Sequence, residues 1–515
     1  MFKRSSGILL HPTSFPSDYG IGDLGLETKK FIDFLEKSEL SVWQILPLGP
    51  TGYGYSPYAS YSAFAGNHYL ISPDILHEKG LLTRDELKRA MLPSLDKADY
   101  ETAFTNKSEL FSIACSRFYE RKDKQEMQKL KKFKKENEFW LDDYVLFISC
   151  LEHYGFQPWN TWDARLAKRE PETIKKAKKE HKDRINYHYF VQFEFFDQWM
   201  KIREYANSKD IIIVGDIPIF VDHNSSDVWA NSQYFEVDSR GKRKLVAGVP
   251  PDYFSETGQL WGNPLYKWKA LKKDGYNWWL ERFKQMFYLF DAIRVDHFRG
   301  FDAYWEVKAD AKNAMKGRWV KGPGEDLFDT IQEKIGTLPI IAEDLGVITH
   351  EVVKLRDKYN FPGMKILQFA FSDNAGNSFL PHNYQTSNCI VYTGTHDNDT
   401  TRGWYNSASE KERHHVREYT RSDGSAIHTE LIHTAMMSVA TMAIFPMQDL
   451  LGLGNEHRMN YPSTVTNNWL WRYKRGDLAR IDMNWLRWLV NLTNRNPRLN
   501  LSVANLTTLE TEEPN

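Results

Sequence analysis

Short apolar segments rich in β-branched residues recur along this chain and alternate with longer segments of helical spacing. Residues 7–10 form the first apolar segment, a helical pattern covers residues 26–40, and residues 42–48 form the second apolar segment. A strand, a helix and a second strand in this order are typical of a parallel α/β fold. Eight segments are predicted to be strands, and they lie near residues 7, 42, 211, 292, 340, 365, 390 and 442.

Eight strand–helix units predict a (β/α)8 TIM barrel with large, mainly helical insertions between barrel strands. A long doubly wound sheet is the alternative, and the lack of a GxGxxG motif after the first strand counts against it. Because no Gly-, Ser- or Pro-rich linker bounds the helical stretch of residues 75–208, we expect residues 1–515 to form a single catalytic barrel.

Two stretches interrupt the alternation. Residues 75–208 show helical spacing and high charge, which predicts a helical insertion between strands 2 and 3. Their lysine-rich run, residues 122–136, could bind a partner, but a solvated helix face is the more common interpretation. Residues 222–275 form a second insertion between strands 3 and 4. Its loop, residues 250–264, carries Tyr253, Phe254 and Trp261, which suits a lid or a ligand platform.

The composition argues against several classes of function. With 67 basic and 68 acidic residues and no basic tail, the chain is not expected to bind nucleic acid. It has no apolar segment long enough to span a bilayer and no signal-peptide pattern, so we expect no membrane partner. Three cysteines without a CxxC pair fit a reducing cytoplasm. The 17 Trp and 26 Tyr favour carbohydrate binding, because aromatic faces stack on sugar rings. The sequence carries no signal for an oligomeric state.

Charged residues follow four of the predicted strands. Since parallel barrel strands all end at one face, we expect these side chains to meet in one bowl. They are Asp216 after the third strand, Arg294, Asp296 and His297 at the fourth, Glu343 and Asp344 at the fifth, and His396, Asp397 and Asp399 at the seventh.

Such a bowl has three interpretations. A metal cluster is one, although only the His-Asp-Asn-Asp run at residues 396–399 supports it. A structural ion pair between Arg294 and a carboxylate is another. The third is glycosidic chemistry, in which one carboxylate attacks the anomeric carbon and a second carboxyl protonates the leaving oxygen. The attacking group must be ionised, which a nearby arginine favours, and the acid must stay protonated, which burial and negative neighbours favour.

Four short motifs contain these charged residues. They are Gly-Asp-Ile-Pro-Ile-Phe (215–220), Arg-Val-Asp-His (294–297), Ala-Glu-Asp-Leu-Gly (342–346) and Thr-His-Asp-Asn-Asp (395–399). The four motifs resemble the conserved regions of the α-amylase clan. The whole set, together with residues 250–264 and the Ser-Pro-Tyr of residues 56–58, resembles the 4-α-glucanotransferases, also called amylomaltases or disproportionating enzymes. The resemblance extends from about residue 7 to residue 472.

The resemblance implies roles for individual residues. Asp296 matches a nucleophile that forms a covalent glucosyl-enzyme, Glu343 the general acid/base, and Asp397 a third carboxylate that grips sugar hydroxyls. The remaining matched positions imply substrate binding and support, and they are Arg294, His297, His396, Asp216, Tyr58, Phe254, Gln259 and Trp261.

The implied activity is that of a retaining 4-α-glucanotransferase with maltodextrin donors and acceptors and no cofactor or metal. In the family the loop matching residues 250–264 arches over the site, and an aromatic lid there would exclude water. An α-1,4-glucan hydrolase of the same clan is the nearest alternative, and a catalytically silent glucan-binding protein is another. One departure lies in residues 456–472, where Ser463 follows Pro462 at a place that is usually Pro-Gly in the family.

Overall fold

The eight predicted strands form one parallel sheet that curves into a barrel, which confirms the predicted fold. The computed structural model describes residues 2–93, 97–251 and 255–498. Twelve strands occur in this part of the chain: β1 (Ser5–Leu9), β2 (Val42–Gln44), β3 (Ile212–Pro218), β4 (Leu245–Val249), β5 (Gln259–Pro264), β6 (Ala292–Asp296), β7 (Ala303–Lys308), β8 (Gly317–Lys321), β9 (Ile340–Ala342), β10 (Gly363–Ile366), β11 (Cys389–Tyr392) and β12 (Met442–Pro446).

The barrel sheet runs in the order β10-β11-β12-β1-β2-β3-β6-β9. Its two ends meet where the backbone N–H of Ala342 donates to the carbonyl of Pro362 at 2.9 Å. Strands β1, β11 and β12 are buried along their whole length. Uniform burial explains why β11 and β12 read as continuous apolar runs, since helices cover the outer face of a parallel sheet, whereas β1 begins with the buried residues Ser5 and Ser6.

The helices surround this sheet. Eight of the described helices, α2 to α9, lie between β2 and β3 and occupy most of residues 75–208, the stretch predicted to be a helical insertion. The limits of that insertion stay a prediction. The helices are α1 (Leu26–Lys37), α2 (Pro73–Glu78), α3 (Arg84–Ala90), α4 (Tyr100–Arg121), α5 (Lys124–Glu136), α6 (Leu141–His153), α7 (Ala164–Ala167), α8 (Pro171–Glu180), α9 (Lys182–Asn207), α10 (Ser226–Ala230), α11 (Trp268–Lys273), α12 (Asn277–Leu289), α13 (Glu325–Ile335), α14 (His350–Lys358), α15 (Thr401–Ser407), α16 (Glu410–Thr420), α17 (Ile427–Met437), α18 (Met447–Leu450) and α19 (Met483–Leu492).

The lysine-rich run forms helix α5. This helix buries Leu130 and leaves most of its lysines exposed. The interpretation as a solvated helix face is therefore confirmed. Among the described residues, no helix combines the length and the apolar character needed to cross a membrane.

A second, antiparallel sheet in the order β5-β4-β7-β8 stands beside the barrel opening. The sequence interpretation of residues 250–264 as one long loop was wrong for residues 259–264, which form β5 and pair with β4. Strand β4 pairs in turn with β7, where Leu245 faces Lys308. Pairing between strands so far apart in sequence leaves no local hydrophobic pattern that reveals it. The predicted lid residues Tyr253 and Phe254 lie outside the described residues.

The first strand lies in the middle of the barrel sheet. Strand β1 pairs with β2 on one side and with β12 on the other, where Ser5 faces Met442. Near the chain's other end, the buried guanidinium of Arg495 donates to the carbonyls of Ser5 at 3.0 Å and Met436 at 2.7 Å. These bonds tie the segment after α19 to the amino-terminal end of the barrel.

Candidate active site

A cleft of about 430 Å³ opens at the carboxyl ends of the barrel strands. One of its walls comes from the small antiparallel sheet, and another from the loop that follows β12. Among the residues lining it are Tyr58, Gln259, Trp261, Arg294, Asp296, His297, Glu343, His396 and Asp397, all predicted from the sequence. The strand ends therefore bring together residues that lie as far apart in sequence as 58 and 397.

Arg294 is held between two carboxylates. Asp216 on β3 and Arg294 on β6 are register partners, and one guanidinium nitrogen of Arg294 lies 2.9 and 2.7 Å from the two carboxylate oxygens of Asp216. The second terminal nitrogen lies 2.9 Å from Asp296, two residues along the same strand and hence on the same face. One cation thereby fixes the orientation of Asp296 from below the cleft.

Asp216 lies behind this cation, with its side chain fully buried. Burial raises the pKa of Asp216 and the negative charge of Asp296 adds to this, although the attraction of Arg294 opposes it. Burial also disfavours the charged form of Arg294, but the negative charges of Asp216 and Asp296 together outweigh it and raise the pKa of Arg294. Asp216 supports Arg294 and also accepts a hydrogen bond from the hydroxyl of Tyr58 at 2.8 Å.

Glu343 follows β9, and two backbone N–H groups hold its carboxyl group in place. One carboxyl oxygen accepts the N–H of His297 at 2.7 Å, and the other accepts the N–H of Leu345 at 2.9 Å. Loss of hydration raises the pKa of Glu343 to about 7 and the negative charge of Asp296 contributes, while Arg294 and the two N–H groups act in the opposite direction. Glu343 can therefore hold a proton near neutral pH and release it within the same range.

Asp397 follows β11, and its pKa is shifted in the opposite direction to that of Glu343. Its carboxylate lies 3.2 Å from the imidazole of His396 and accepts the side-chain N–H of Asn460 at 2.6 Å. Loss of hydration works against ionisation of Asp397, but the charge and hydrogen bond of His396, the Asn460 amide and Arg294 together outweigh it and lower the pKa. Asp397 is consequently an ionised hydrogen-bond acceptor at neutral pH.

Aromatic rings surround the carboxylates. Tyr58 stacks on His396 with ring centroids 5.2 Å apart and planes at 20°, and Trp469 packs 6.0 Å from each ring. On the other side, Trp261 meets His297 edge-on at 4.8 Å, and its indole N–H donates to Gln259 at 3.1 Å. Flat apolar faces beside fixed polar groups are the surfaces on which sugar rings bind.

His297 combines an unusual backbone with an unsatisfied nitrogen. It adopts φ +52° at the turn after β6, so that its own N–H points to Glu343. Burial lowers the pKa of His297 to about 3, and its ring is therefore neutral near pH 7. Its buried Nε2 has no hydrogen-bond partner among the described residues, and a neutral imidazole nitrogen beside the cleft suits a sugar hydroxyl.

Two predicted members of the bowl point elsewhere. Asp344 forms an ion pair with Arg356 at 2.5 Å and accepts the backbone N–H of Met364 at 2.7 Å. Asp399 accepts the side-chain N–H of Asn455 at 2.6 Å, at the start of α15. The expectation that all of these acids face one bowl was wrong for both, because Arg356 and Asn455 bind these two carboxylates and neither residue lines the cleft.

The loop of residues 456–472 contributes more to the site than the sequence indicated. It supplies Asn460 and Trp469, and the guanidinium of Arg458 donates to the backbone carbonyl of Asp397 at 2.6 Å. Ser463 lines the cleft with φ +66°, a left-handed conformation that glycine adopts without a steric penalty. The family resemblance of this loop was the signal that could have identified these residues.

A metal cluster was one interpretation of the charged residues at the strand ends. Within residues 2–93, 97–251 and 255–498, no group of three or more His, Cys, Asp and Glu side chains is arranged to hold a metal ion. The three cysteines, Cys115, Cys150 and Cys389, are buried and free of disulfides.

Comparisons with known proteins agree with this geometry. A family model described as 4-α-glucanotransferase matches residues 10–478. A 4-α-glucanotransferase of Synechocystis is 49% identical over 474 residues, which cover 92% of this chain and 94% of that protein. A 4-α-glucanotransferase of Thermus thermophilus is 46% identical over 499 residues, covering 96% and 99%. The solved amylomaltase of Streptococcus agalactiae in complex with acarbose superposes with a TM-score of 0.93 at 39% identity, over 96% of this chain and 100% of that one.

These matches span nearly the whole chain and include both the barrel and the loops that form the cleft. This chain belongs to the 4-α-glucanotransferase family.

Proposed function

We propose that this protein is a retaining 4-α-glucanotransferase that moves α-1,4-glucan segments between maltodextrins through a covalent glucosyl-enzyme on Asp296. The observation that supports this most directly is the pairing of two carboxyl groups with different environments in one cleft. Asp296 is held by Arg294, whereas Glu343 has a raised pKa next to it. Two carboxyl groups that differ in this way suit a nucleophile and a general acid.

In the first step, an oxygen of Asp296 attacks the anomeric carbon of the donor while Glu343 transfers its proton to the glycosidic oxygen. The bond between that carbon and oxygen breaks, the shortened chain leaves as an alcohol, and a β-glucosyl ester remains on Asp296. In the second step, Glu343, now a carboxylate, takes the proton of the acceptor's 4-hydroxyl as its oxygen attacks the same carbon. Two displacements at one carbon retain the α configuration.

Asp397 would bind hydroxyl groups of the glucose that reacts, because it is ionised and its orientation is fixed by His396 and Asn460. Hydrogen bonds from sugar hydroxyls to a charged carboxylate are stronger than bonds between neutral groups. The unsatisfied nitrogen of His297 offers a further acceptor or donor on the same sugar.

Transfer rather than hydrolysis depends on which molecule captures the intermediate. Tyr58, Trp261 and Trp469 present aromatic surface to the cleft, which favours a stacked sugar over water. We infer that Tyr253 and Phe254 add a lid to this surface. Replacing Phe254 by serine should then raise glucose release relative to transfer, and an unchanged ratio would count against the lid.

The product profile from pure maltotriose tests the proposal. Transfer gives glucose together with maltopentaose and longer chains, while the total number of reducing ends stays constant. A rising number of reducing ends would identify an α-1,4-glucan hydrolase instead. No change in maltotriose would favour a catalytically silent glucan-binding protein.

Two further points belong to this proposal. We infer that the barrel and the segments inserted between its strands act as one catalytic unit, with the limits predicted above.

The free cysteines support a cytoplasmic location, which cell fractionation with an antibody against the protein would test.

A further inference from the structure

Trp319 is an exposed tryptophan that neither the sequence motifs nor the proposed reaction uses. It lies on β8, the edge strand of the antiparallel sheet, and 40% of it is exposed. A single exposed aromatic residue is ordinary in itself. Trp319 is distinguished by lining the same cleft as Asp296 and Glu343, and by the way its ring is held.

The ring of Trp319 is fixed before any ligand arrives. The guanidinium carbon of Arg299 lies 3.8 Å from the ring centroid, and Trp305 packs edge-on at 5.1 Å. Arg299 is itself buried and donates a hydrogen bond to the carbonyl of Val347. A preorganised aromatic face binds a ligand with little loss of conformational entropy.

The position of Trp319 relative to Glu343 indicates which part of a substrate it would meet. Arg299, whose guanidinium lies over the Trp319 ring, also donates to the carbonyl of Val347 in the segment just after Glu343, so Trp319 and that segment lie on the same side of the cleft. A general acid stands beside the leaving group, and in a transferase the acceptor later occupies the place of that leaving group. Trp319 therefore lies on the acceptor side, whereas His396 and Asp397 lie on another wall.

Trp319 and Trp261 occupy opposite edges of one sheet. Strands β5 and β8 are separated by two strands, so their backbones are about 14 Å apart at the usual spacing of paired strands. Trp261 contacts His297 directly, next to the reacting carboxylates. A glucan chain that touches Trp261 near its reacting end would thus reach Trp319 only with a sugar several residues away.

We propose that Trp319 is a stacking platform for the distal glucose residues of the acceptor chain, and that it makes longer maltodextrins better acceptors than glucose. This inference rests on the proposed transferase function. Glucose alone occupies the position beside Glu343 and does not reach Trp319, whereas maltotetraose reaches it.

The test compares two acceptors with a common donor. Amylose serves as the donor, isotope-labelled glucose or maltotetraose as the acceptor, and incorporation of label into longer chains gives kcat/KM for each acceptor. The quantity of interest is the ratio of kcat/KM for maltotetraose to that for glucose. We expect Trp319→Ala to lower this ratio roughly threefold to tenfold, in keeping with the loss of one aromatic stacking contact.

Three further variants show whether a lower ratio in Trp319→Ala comes from the loss of the flat aromatic ring at this position. Trp319→Leu keeps apolar bulk without a flat ring and should lower the ratio as Trp319→Ala does, so it decides the outcome if the alanine variant does not fold. Trp319→Phe should preserve most of the ratio. Trp488→Ala removes a tryptophan that is 53% exposed on α19, outside the cleft, and should leave the ratio unchanged.

The outcomes separate this inference from the function on which it rests. If the wild-type protein incorporates no label from either acceptor, the proposed transferase function fails. If it incorporates label and the ratio is the same in Trp319→Ala, Trp319→Leu and wild type, the function stands and the platform is refuted. A ratio that falls equally in Trp488→Ala would also refute it, because the effect would not be local.

Discussion

Replacing Glu343 by glutamine is the most informative single change. Both carboxyl oxygens of Glu343 accept backbone N–H groups, from His297 at 2.7 Å and from Leu345 at 2.9 Å. The amide of glutamine has one oxygen, so its NH2 group would face one of these two donors. Loss of one hydrogen bond with an unpaired donor left behind costs about 1–3 kcal/mol. We therefore expect Glu343→Gln to be slightly less stable than wild type and still folded.

The catalytic loss should be larger and of a different kind. A positioned general acid contributes roughly a hundredfold to ten-thousandfold to a rate, or about 3–5 kcal/mol in the activation barrier. Because the pKa of Glu343 is raised to about 7, the acid form predominates below this pH and is lost above it. The kcat/KM of wild type for maltotriose should accordingly fall as the pH rises through about 7, and the residual activity of Glu343→Gln should lack this decline.

An activated donor distinguishes lost proton transfer from distorted geometry. Fluoride leaves an α-maltosyl fluoride without needing a proton, so this donor needs the nucleophile Asp296 but no acid for the first step. The first-turnover burst of fluoride release by Glu343→Gln, which reports the first step alone, should keep a rate within a few fold of wild type, while disproportionation of maltotriose falls by the factor given above. Equal losses with both substrates, or full activity on maltotriose, would refute the assignment of Glu343 as the acid.

Three other changes test separate parts of the site. Ser463→Gly should stabilise the protein by up to roughly 1 kcal/mol in urea unfolding, because φ +66° strains every residue except glycine, whereas Ser409→Gly, which removes the helix-capping side chain of α16, should not. Asn460→Ala removes a donor that lowers the pKa of Asp397, so the activity should be lost at a higher pH than in wild type as the solution is acidified, and an unshifted acid limb would contradict this. Asp449→Ala removes a buried carboxylate that accepts three hydrogen bonds from the segments flanking Asp397. It should cost roughly 3 kcal/mol of stability and also lower kcat, and a stability loss without a loss of kcat would show that this carboxylate does not position the site.

The barrel could be predicted from the sequence because its strands are buried on both faces. A segment such as β12, in which every residue is buried, is apolar throughout, and that pattern is visible without knowing its neighbours. The same logic located the carboxyl ends of the strands and hence Asp296 and Glu343. The apolar pattern does not show in which direction each side chain points. The position of β9 was predicted, but the side chain of Asp344, which follows it, points away from the cleft and binds the backbone N–H of Met364.

The antiparallel sheet and the rim of the cleft escaped prediction for a different reason. Strand β8 is exposed along most of its length, so no burial requirement marks it in the sequence. Trp319 reaches the site because β7, the partner of β8, also pairs with the distant strand β4, and Asn460 reaches it through a hydrogen bond to the distant Asp397. Such contacts form only when the whole chain has folded. In the sequence, the residues that make them cannot be distinguished from ordinary surface residues.

The place of β1 in the sheet has a consequence for synthesis of the protein on the ribosome. Its register partners on one side, beginning with Met442, are made about 430 residues after it. At roughly 5–20 residues per second, β1 waits on the order of 20 to 90 s with one edge unpaired. The unpaired backbone N–H and C=O groups of an open strand edge are a template for pairing with other chains. Slower initiation, which spaces nascent chains apart, should therefore raise the yield of folded protein without any change in its final stability.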